Sequence, residues 1–60
     1  MNLKTVRERL QLTQADVAHQ CDISVPTVAR IESNPEYVPS FRIRRKLAKG
    51  LKVKLEELYQ

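Results

Sequence analysis

Seven cations, Arg42, Arg44, Arg45, Lys46, Lys49, Lys52 and Lys54, follow one another with no acid among them. Residues 1–36 set Lys4, Arg7, Arg9 and Arg30 against Glu8, Asp16, Asp22, Glu32 and Glu36, a net charge of −1. Residues 37–60 set the seven cations against Glu56 and Glu57, a net of +5, which completes the formal +4 of the chain. Such asymmetry suits a polyanion, either nucleic acid or an anionic membrane face. A basic run is as often a plain solvated face, so charge alone does not choose. Other reactive groups are scarce. One cysteine, Cys21, leaves no internal disulfide, and Cys21 with the single His19 falls short of the three or four protein ligands of a zinc site. There is no histidine–carboxylate pairing, no nucleophile beside a base and no glycine loop for phosphate, so the chain reads as a non-enzyme without cofactor, metal or small-molecule ligand.

A lone thiol suits a reducing compartment. No apolar run approaches the ~20 residues of a membrane span, and Met1-Asn2-Leu3-Lys4 is not followed by the apolar core of a secretion signal. The expectation is a cytoplasmic protein. A basic amphipathic membrane binder ranks low, because the basic segment has few large apolar residues for lipid.

Sixty residues make one domain, 1–60. A chain this short buries only about 60% of its unfolded surface, so its core is small. The apolar spacing is helical nearly throughout. Leu3, Val6 and Leu10 mark a first helix that stops near Gln11, with Asn2 as N-cap. Thr13-Gln14-Ala15-Asp16 reads as a capping box that opens a second helix over 14–21, with Val17, Ala18 and Cys21 on its inner face. Ser24 is an N-cap for a third helix over 25–33, with Val28 and Ile31 inward and Pro26 in the first turn. The residue before a proline avoids the helical region, so Val25 is expected to be irregular. Residues 33–39 read as a loop with a left-handed Asn34. Ser40 caps a fourth helix over 41–50 whose stripe is Ile43, Leu47 and Leu51, with Gly50 loosening its end. A fifth short helix over 54–59 carries Leu55, Leu58 and Tyr59. The predicted fold is all-α, a compact bundle of five short helices. Cys21 reads as a small core residue and His19 as a surface one. Arg44, Arg45, Lys46 and Lys49 are expected to wrap too far around the fourth helix to share one contact face. Tyr37 and Tyr59 read as loop and interface packing.

Residues 13–33 carry the main signal. Two short helices flank a tight three-residue turn, with small Ala18 where helices cross and Val17, Cys21, Ile23, Val28 and Ile31 inward. The turn needs positive φ, which Asp22 tolerates less easily than glycine. This stretch, Leu12-Thr13-Gln14-Ala15-Asp16-Val17-Ala18, then Ile23-Ser24, then Thr27-Val28-Ala29-Arg30-Ile31-Glu32, resembles the Cro and phage-repressor family of helix-turn-helix regulators. The flanks agree. Leu3, Val6, Arg7 and Glu8 resemble the family's first helix, and Leu47-Ala48-Lys49 through Leu55-Glu56-Glu57-Leu58 resembles its closing segment. The family often has glycine where this chain has Gln11, Asp22 and Lys52, serine where it has Lys54, and leucine where it has Arg44.

The resemblance implies a lambda-repressor-like DNA-binding domain that regulates transcription, a Cro-like repressor bound to a palindromic operator in double-stranded DNA. It implies that the third helix enters the major groove N-terminus first, with Ser24, Val25, Pro26, Thr27 and Arg30 at the base edges. Arg30 suits guanine, and Val25 and Pro26 suit thymine methyls. It implies backbone contacts from Gln14 and Arg42, and a structural ion pair between Arg7 and Glu32. Plainer roles stay open: Gln14 as a first-turn residue, Arg30 as a solvated arginine, Val25 and Pro26 as helix starters. Leu55, Leu58 and Tyr59 are more apolar than so small a core uses up, so they are the expected contact of a homodimer that is weak in solution and completed on DNA. The competing reading is a protein-interaction module of antitoxin or anti-repressor type on the same fold. The retention of Ser24, Thr27 and Arg30 on the reading face weighs against it.

Overall fold

The computed structural model describes residues 1–59. They form α1 (Leu3–Arg9), α2 (Gln14–Cys21), α3 (Val25–Ser33), α4 (Phe41–Leu51) and a closing 3-10 turn (Leu55–Tyr59). The described residues contain no strand. The expected fifth α-helix is thus corrected to a 3-10 turn. Its physical reason is local. Lys54 has no side-chain acceptor to cap a helix, and the Glu57 carboxylate alone accepts the Lys54 N–H at 2.8 Å. The Glu57 N–H closes on the Lys54 carbonyl at 3.0 Å, the tighter three-residue spacing.

Helix starts follow the capping chemistry. Thr13 Oγ1 accepts from the Asp16 N–H at 3.0 Å, and Asp16 Oδ2 accepts from the Thr13 N–H at 2.9 Å. Ser24 Oγ accepts from Thr27 N–H and Ser40 Oγ from Ile43 N–H. Three local expectations change. Asn2 makes no side-chain cap; instead its N–H donates to the Leu58 carbonyl at 2.8 Å and anchors the start of α1 to the closing turn. Val25 is helical, because the Ser24 cap organises the turn around Pro26. Asn34 is extended at φ −129°, since its side chain builds the turn by accepting from the Glu36 N–H.

Three helix ends repeat one device. Gln11, Asp22 and Lys52 have φ of 59°, 56° and 57°. The next residue in each case, Leu12, Ile23 or Val53, donates its N–H five residues back, to the carbonyl of Arg7, Ala18 or Ala48. This left-handed corner satisfies orphan helix carbonyls and folds an apolar residue onto the core. Glycine makes the conformation at no steric cost, whereas a side chain is strained by about 1–2 kcal/mol. Lys52→Gly is therefore expected to stabilise the domain by about 1 kcal/mol, a rise in Tm of roughly 4–8 °C. A thermal melt that is unchanged or lowered would show that Lys52 is held by contacts worth as much as the strain.

The core joins every element: Leu3 and Val6 of α1, Val17, Ala18 and Cys21 of α2, Val28 and Ile31 of α3, Leu47 and Leu51 of α4, and Leu58. Burial pushes the Cys21 thiol pKa up, which keeps it an inert core group. Gly50 lies inside α4 and does not loosen its end. A Cβ there would sit 2.6 Å from Cys21 Sγ and 2.7 Å from the Gln20 carbonyl oxygen. Its bare backbone lets α4 press against the end of α2, which in turn fixes the turn leading into α3.

Candidate nucleic-acid interface

The turn between α2 and α3 is Asp22-Ile23-Ser24, with the left-handed Asp22 reversing the chain and Ile23 packed onto the core. Lys46 of α4 donates to the Asp22 carbonyl at 3.2 Å. Its ion pair with the Asp22 carboxylate is loose, at 3.7 Å with 97% of the Asp22 side chain exposed, and contributes little.

α3 then presents Ser24, Val25 and Pro26 to solvent, with Thr27 half-buried. Ser24 Oγ and Thr27 Oγ1 are 2.7 Å apart, and Ser24 Oγ also accepts from the Thr27 N–H. These two hydroxyls are largely engaged with each other and with the cap. Val25 and Pro26 have no side-chain donor or acceptor. Arg30, one turn further on, is exposed, and its guanidinium lies 4.7 Å from the centre of the Tyr37 ring. The ring face attracts the cation and leaves its N–H groups available to donate. Tyr37 therefore does more than the expected loop packing. Seven positions separate it from Arg30, across a loop, and no periodicity links them.

The far end of α3 is held by a four-residue hub. Arg7 Nε donates to Glu32 Oε2 at 2.7 Å and Arg7 Nη2 to Glu32 Oε1 at 3.0 Å. Arg7 Nη1 donates to the Leu12 carbonyl at 2.9 Å. Gln14 Nε2 donates to Glu32 Oε1 at 3.0 Å. The side chains of Arg7 and Glu32 are only 14% and 5% exposed. Burial alone raises the Glu32 pKa, but hydrogen bonds from Arg7 and Gln14, with the Arg7 charge, outweigh it and leave the carboxyl below its ordinary value. One carboxylate thus ties α1, the start of α2 and the end of α3 together, so the orientation of α3 is set by charge-assisted bonds. An amide nitrogen has two hydrogens, and Gln14 gives one to Glu32.

Arg42 is exposed in the first turn of α4. It lines one shallow depression with Phe41, Arg45, Lys46 and Lys49. Arg44, Arg45, Lys46 and Lys49 thus do not all share one face: the spacing of Arg45, Lys46 and Lys49 places them along one arc of the helix with Arg42, and Arg44 lies apart, donating to the Tyr59 hydroxyl at 2.8 Å. One correction concerns Leu58. It has no exposed surface, because the 3-10 spacing turns it inward against the core, so it is not available to a partner. Leu55 is half-buried, and Tyr59 is 43% exposed.

Among the described residues, no three His, Cys, Asp or Glu side chains converge as metal ligands, and no helix is long and apolar enough to cross a membrane. A family model described as helix-turn-helix matches residues 3–58, from the first residue of α1 into the closing turn. No curated protein and no solved structure matches the chain.

Proposed function

Since the chain belongs to the helix-turn-helix family of Cro and phage-repressor type, a family of DNA-binding regulators, we propose that it is a sequence-specific repressor that reads double-stranded DNA with the N-terminal half of α3. The observation that carries this reading is the pairing of an exposed α3 start with an oriented Arg30. On this reading Arg30 grips guanine through O6 and N7, and Val25 and Pro26 lie against thymine methyls. Ser24 and Thr27, with their hydroxyls mutually engaged, add short contacts at the groove edge. The free hydrogen of Gln14, with Arg42 and the cations beside it, neutralises phosphates.

The domain measures 22 × 22 × 20 Å, less than the roughly 34 Å of one DNA turn. One copy therefore covers one half-site. Two copies on a palindromic operator put half-sites about 10 base pairs apart, centre to centre. Of the three expected residues Tyr59 supplies the homodimer contact, while Leu58 is buried and Leu55 packs against the core.

Two variants separate reading from positioning. Arg30→Ala relaxes preference at one base pair per half-site, a loss of about 1–3 kcal/mol of discrimination. Arg42→Ala weakens binding to all duplexes alike and flattens the dependence of log affinity on log salt by about 0.9 per copy. Anisotropy titrations against matched and single-substituted duplexes at several salt concentrations measure both. If Arg30→Ala loses affinity equally for every duplex, Arg30 touches the backbone and the reading of α3 is wrong.

A further inference from the structure

Arg44 lies apart from the basic arc of α4, and its surroundings are unusual. Its guanidinium carbon lies 5.5 Å from the centre of the Phe41 ring and 5.9 Å from that of Tyr59. One nitrogen donates to the Tyr59 hydroxyl. The Nε is enclosed and has no hydrogen-bond partner. No carboxylate of the described residues reaches the group, since the ion pairs join Arg7 to Glu32, Arg9 to Glu57 and Lys46 to Asp22. A guanidinium beside two rings, with no carboxylate against it and terminal N–H groups left over, can still take a carboxylate partner. The rings beside it are 57% and 43% exposed. Tyrosine and arginine together are the side chains that carry most energy in protein contacts.

A carboxylate stands in the same closing turn as Tyr59. In a 3-10 turn, side chains three apart eclipse one another. Leu58 is buried and Leu55 packs against the core, so they share the inner side. Glu56 and Tyr59 share the other. Glu56 is exposed and forms no ion pair among the described residues. The surface thus carries an incomplete cation and a free carboxylate together. Across a two-fold axis each group meets the other kind, because residue i faces j and j faces i. Such a surface is complementary to itself.

We propose that a second copy of this chain docks on the Phe41, Arg44, Glu56 and Tyr59 face, with Arg44 of each copy bonded to the partner's Glu56. The inference rests on the homodimer reading above and names its contact. Phe41 and Tyr59 supply the apolar burial, and the crossed pairs fix the register. Both pairs are buried when the copies meet, so reversing one charge juxtaposes like charges at two places in the dimer.

The test is complementation between two variants. Sedimentation equilibrium up to about 1 mM compares the unaltered protein, Arg44→Glu, Glu56→Arg and an equimolar mixture of the two variants. The unaltered protein dimerises reversibly. Each variant alone associates at least about tenfold more weakly, having two like-charge pairs. The mixture recovers, because one heterodimer regains both opposite-charge pairs. A structural role of Arg44 within its own chain gives no such recovery. If the unaltered protein dimerises and the variants alone do so equally well, or the mixture stays monomeric, this surface is wrong while the homodimer stands. If the unaltered protein is monomeric and also fills two half-sites on one duplex independently, the homodimer reading falls and this contact with it. Circular dichroism checks folding. Should Arg44→Glu not fold, Glu56→Arg at its exposed site must still abolish association and Glu56→Gln must weaken it less, and equal association by all three proteins overturns the proposal.

Discussion

Glu32→Ala costs the domain roughly 3–5 kcal/mol, as much as truncating a buried core side chain. The carboxylate receives two bonds from Arg7 and one from Gln14. Its removal leaves the Arg7 guanidinium, 14% exposed, without its counter-charge. A pair of this kind adds little net stability over an apolar equivalent, but losing one partner strands the other. A 60-residue domain has on the order of 3–9 kcal/mol in total, so much of the variant is unfolded at 25 °C. Urea titration followed by circular dichroism measures the loss. Glu32→Gln, which keeps an acceptor but not the charge, falls between the two. The pair also sets a pH dependence. The folded-state pKa of Glu32 is lowered, so the folded form binds its proton less readily than the unfolded chain. The stabilisation is complete above the ordinary carboxylate value and is lost as pH falls through the lowered one. Asp16 adds in the same direction, its pKa lowered chiefly by the Thr13 backbone N–H. Glu32→Ala therefore flattens the acid side of the stability profile as well as lowering it. A variant that melts like the unaltered protein, with the same acid limb, would mean that α3 is oriented by packing alone.

Gly50→Ala destabilises the domain, although alanine is the better helix former by about 1 kcal/mol. The added Cβ meets Cys21 Sγ at 2.6 Å, the Gln20 carbonyl oxygen at 2.7 Å and Cys21 Cα at 2.8 Å. Two of these atoms belong to the backbone of α2 and cannot swing away. α4 must then lift from α2, which disturbs the packing of the buried Cys21 and Leu47. Overpacking of this kind costs typically 1–3 kcal/mol and occasionally more. The expected net loss is about 2 kcal/mol, and Tm falls by roughly 10 °C. Cys21→Ala does not rescue it, because the Gln20 carbonyl remains. A variant with equal or higher Tm would show that α2 and α4 separate freely at this end.

The helices were legible where side chains carry their own instructions. Thr13 with Asp16, Ser24 and Ser40 announced three helix starts, and the apolar spacing gave the inner faces of α2, α3 and α4. The same spacing could not tell an α-helix from a 3-10 turn over five residues. That choice turned on a cap that Lys54 lacks, and it decided that Leu58 faces the core. The need for glycine at position 50 is invisible in the sequence because its reason, the close approach of Gln20 and Cys21, lies on another helix. The left-handed corner at Asp22 followed from the tight turn, which needs positive φ, whereas those at Gln11 and Lys52 could be anticipated only through family resemblance, since neither residue favours that conformation. The candidate site divides in the same way. Arg30 and its neighbours stand on one short helix and were visible as a group. Tyr37 beneath Arg30 and Arg44 beside two rings depend on tertiary placement, whereas the shared arc of Arg42, Arg45, Lys46 and Lys49 follows from helical spacing alone.

The central claim, that α3 reads a DNA sequence, is tested most directly by selecting binding sites for the unaltered protein from random duplexes and sequencing them. The account predicts one enriched motif with two-fold symmetry, half-sites about 10 base pairs apart, and a guanine near a thymine-bearing step in each half. Repeating the selection with Arg30→Ala removes the guanine and leaves the rest. Uniform, salt-sensitive retention of all sequences with no enriched motif would contradict the account, as would a motif whose half-sites share no guanine.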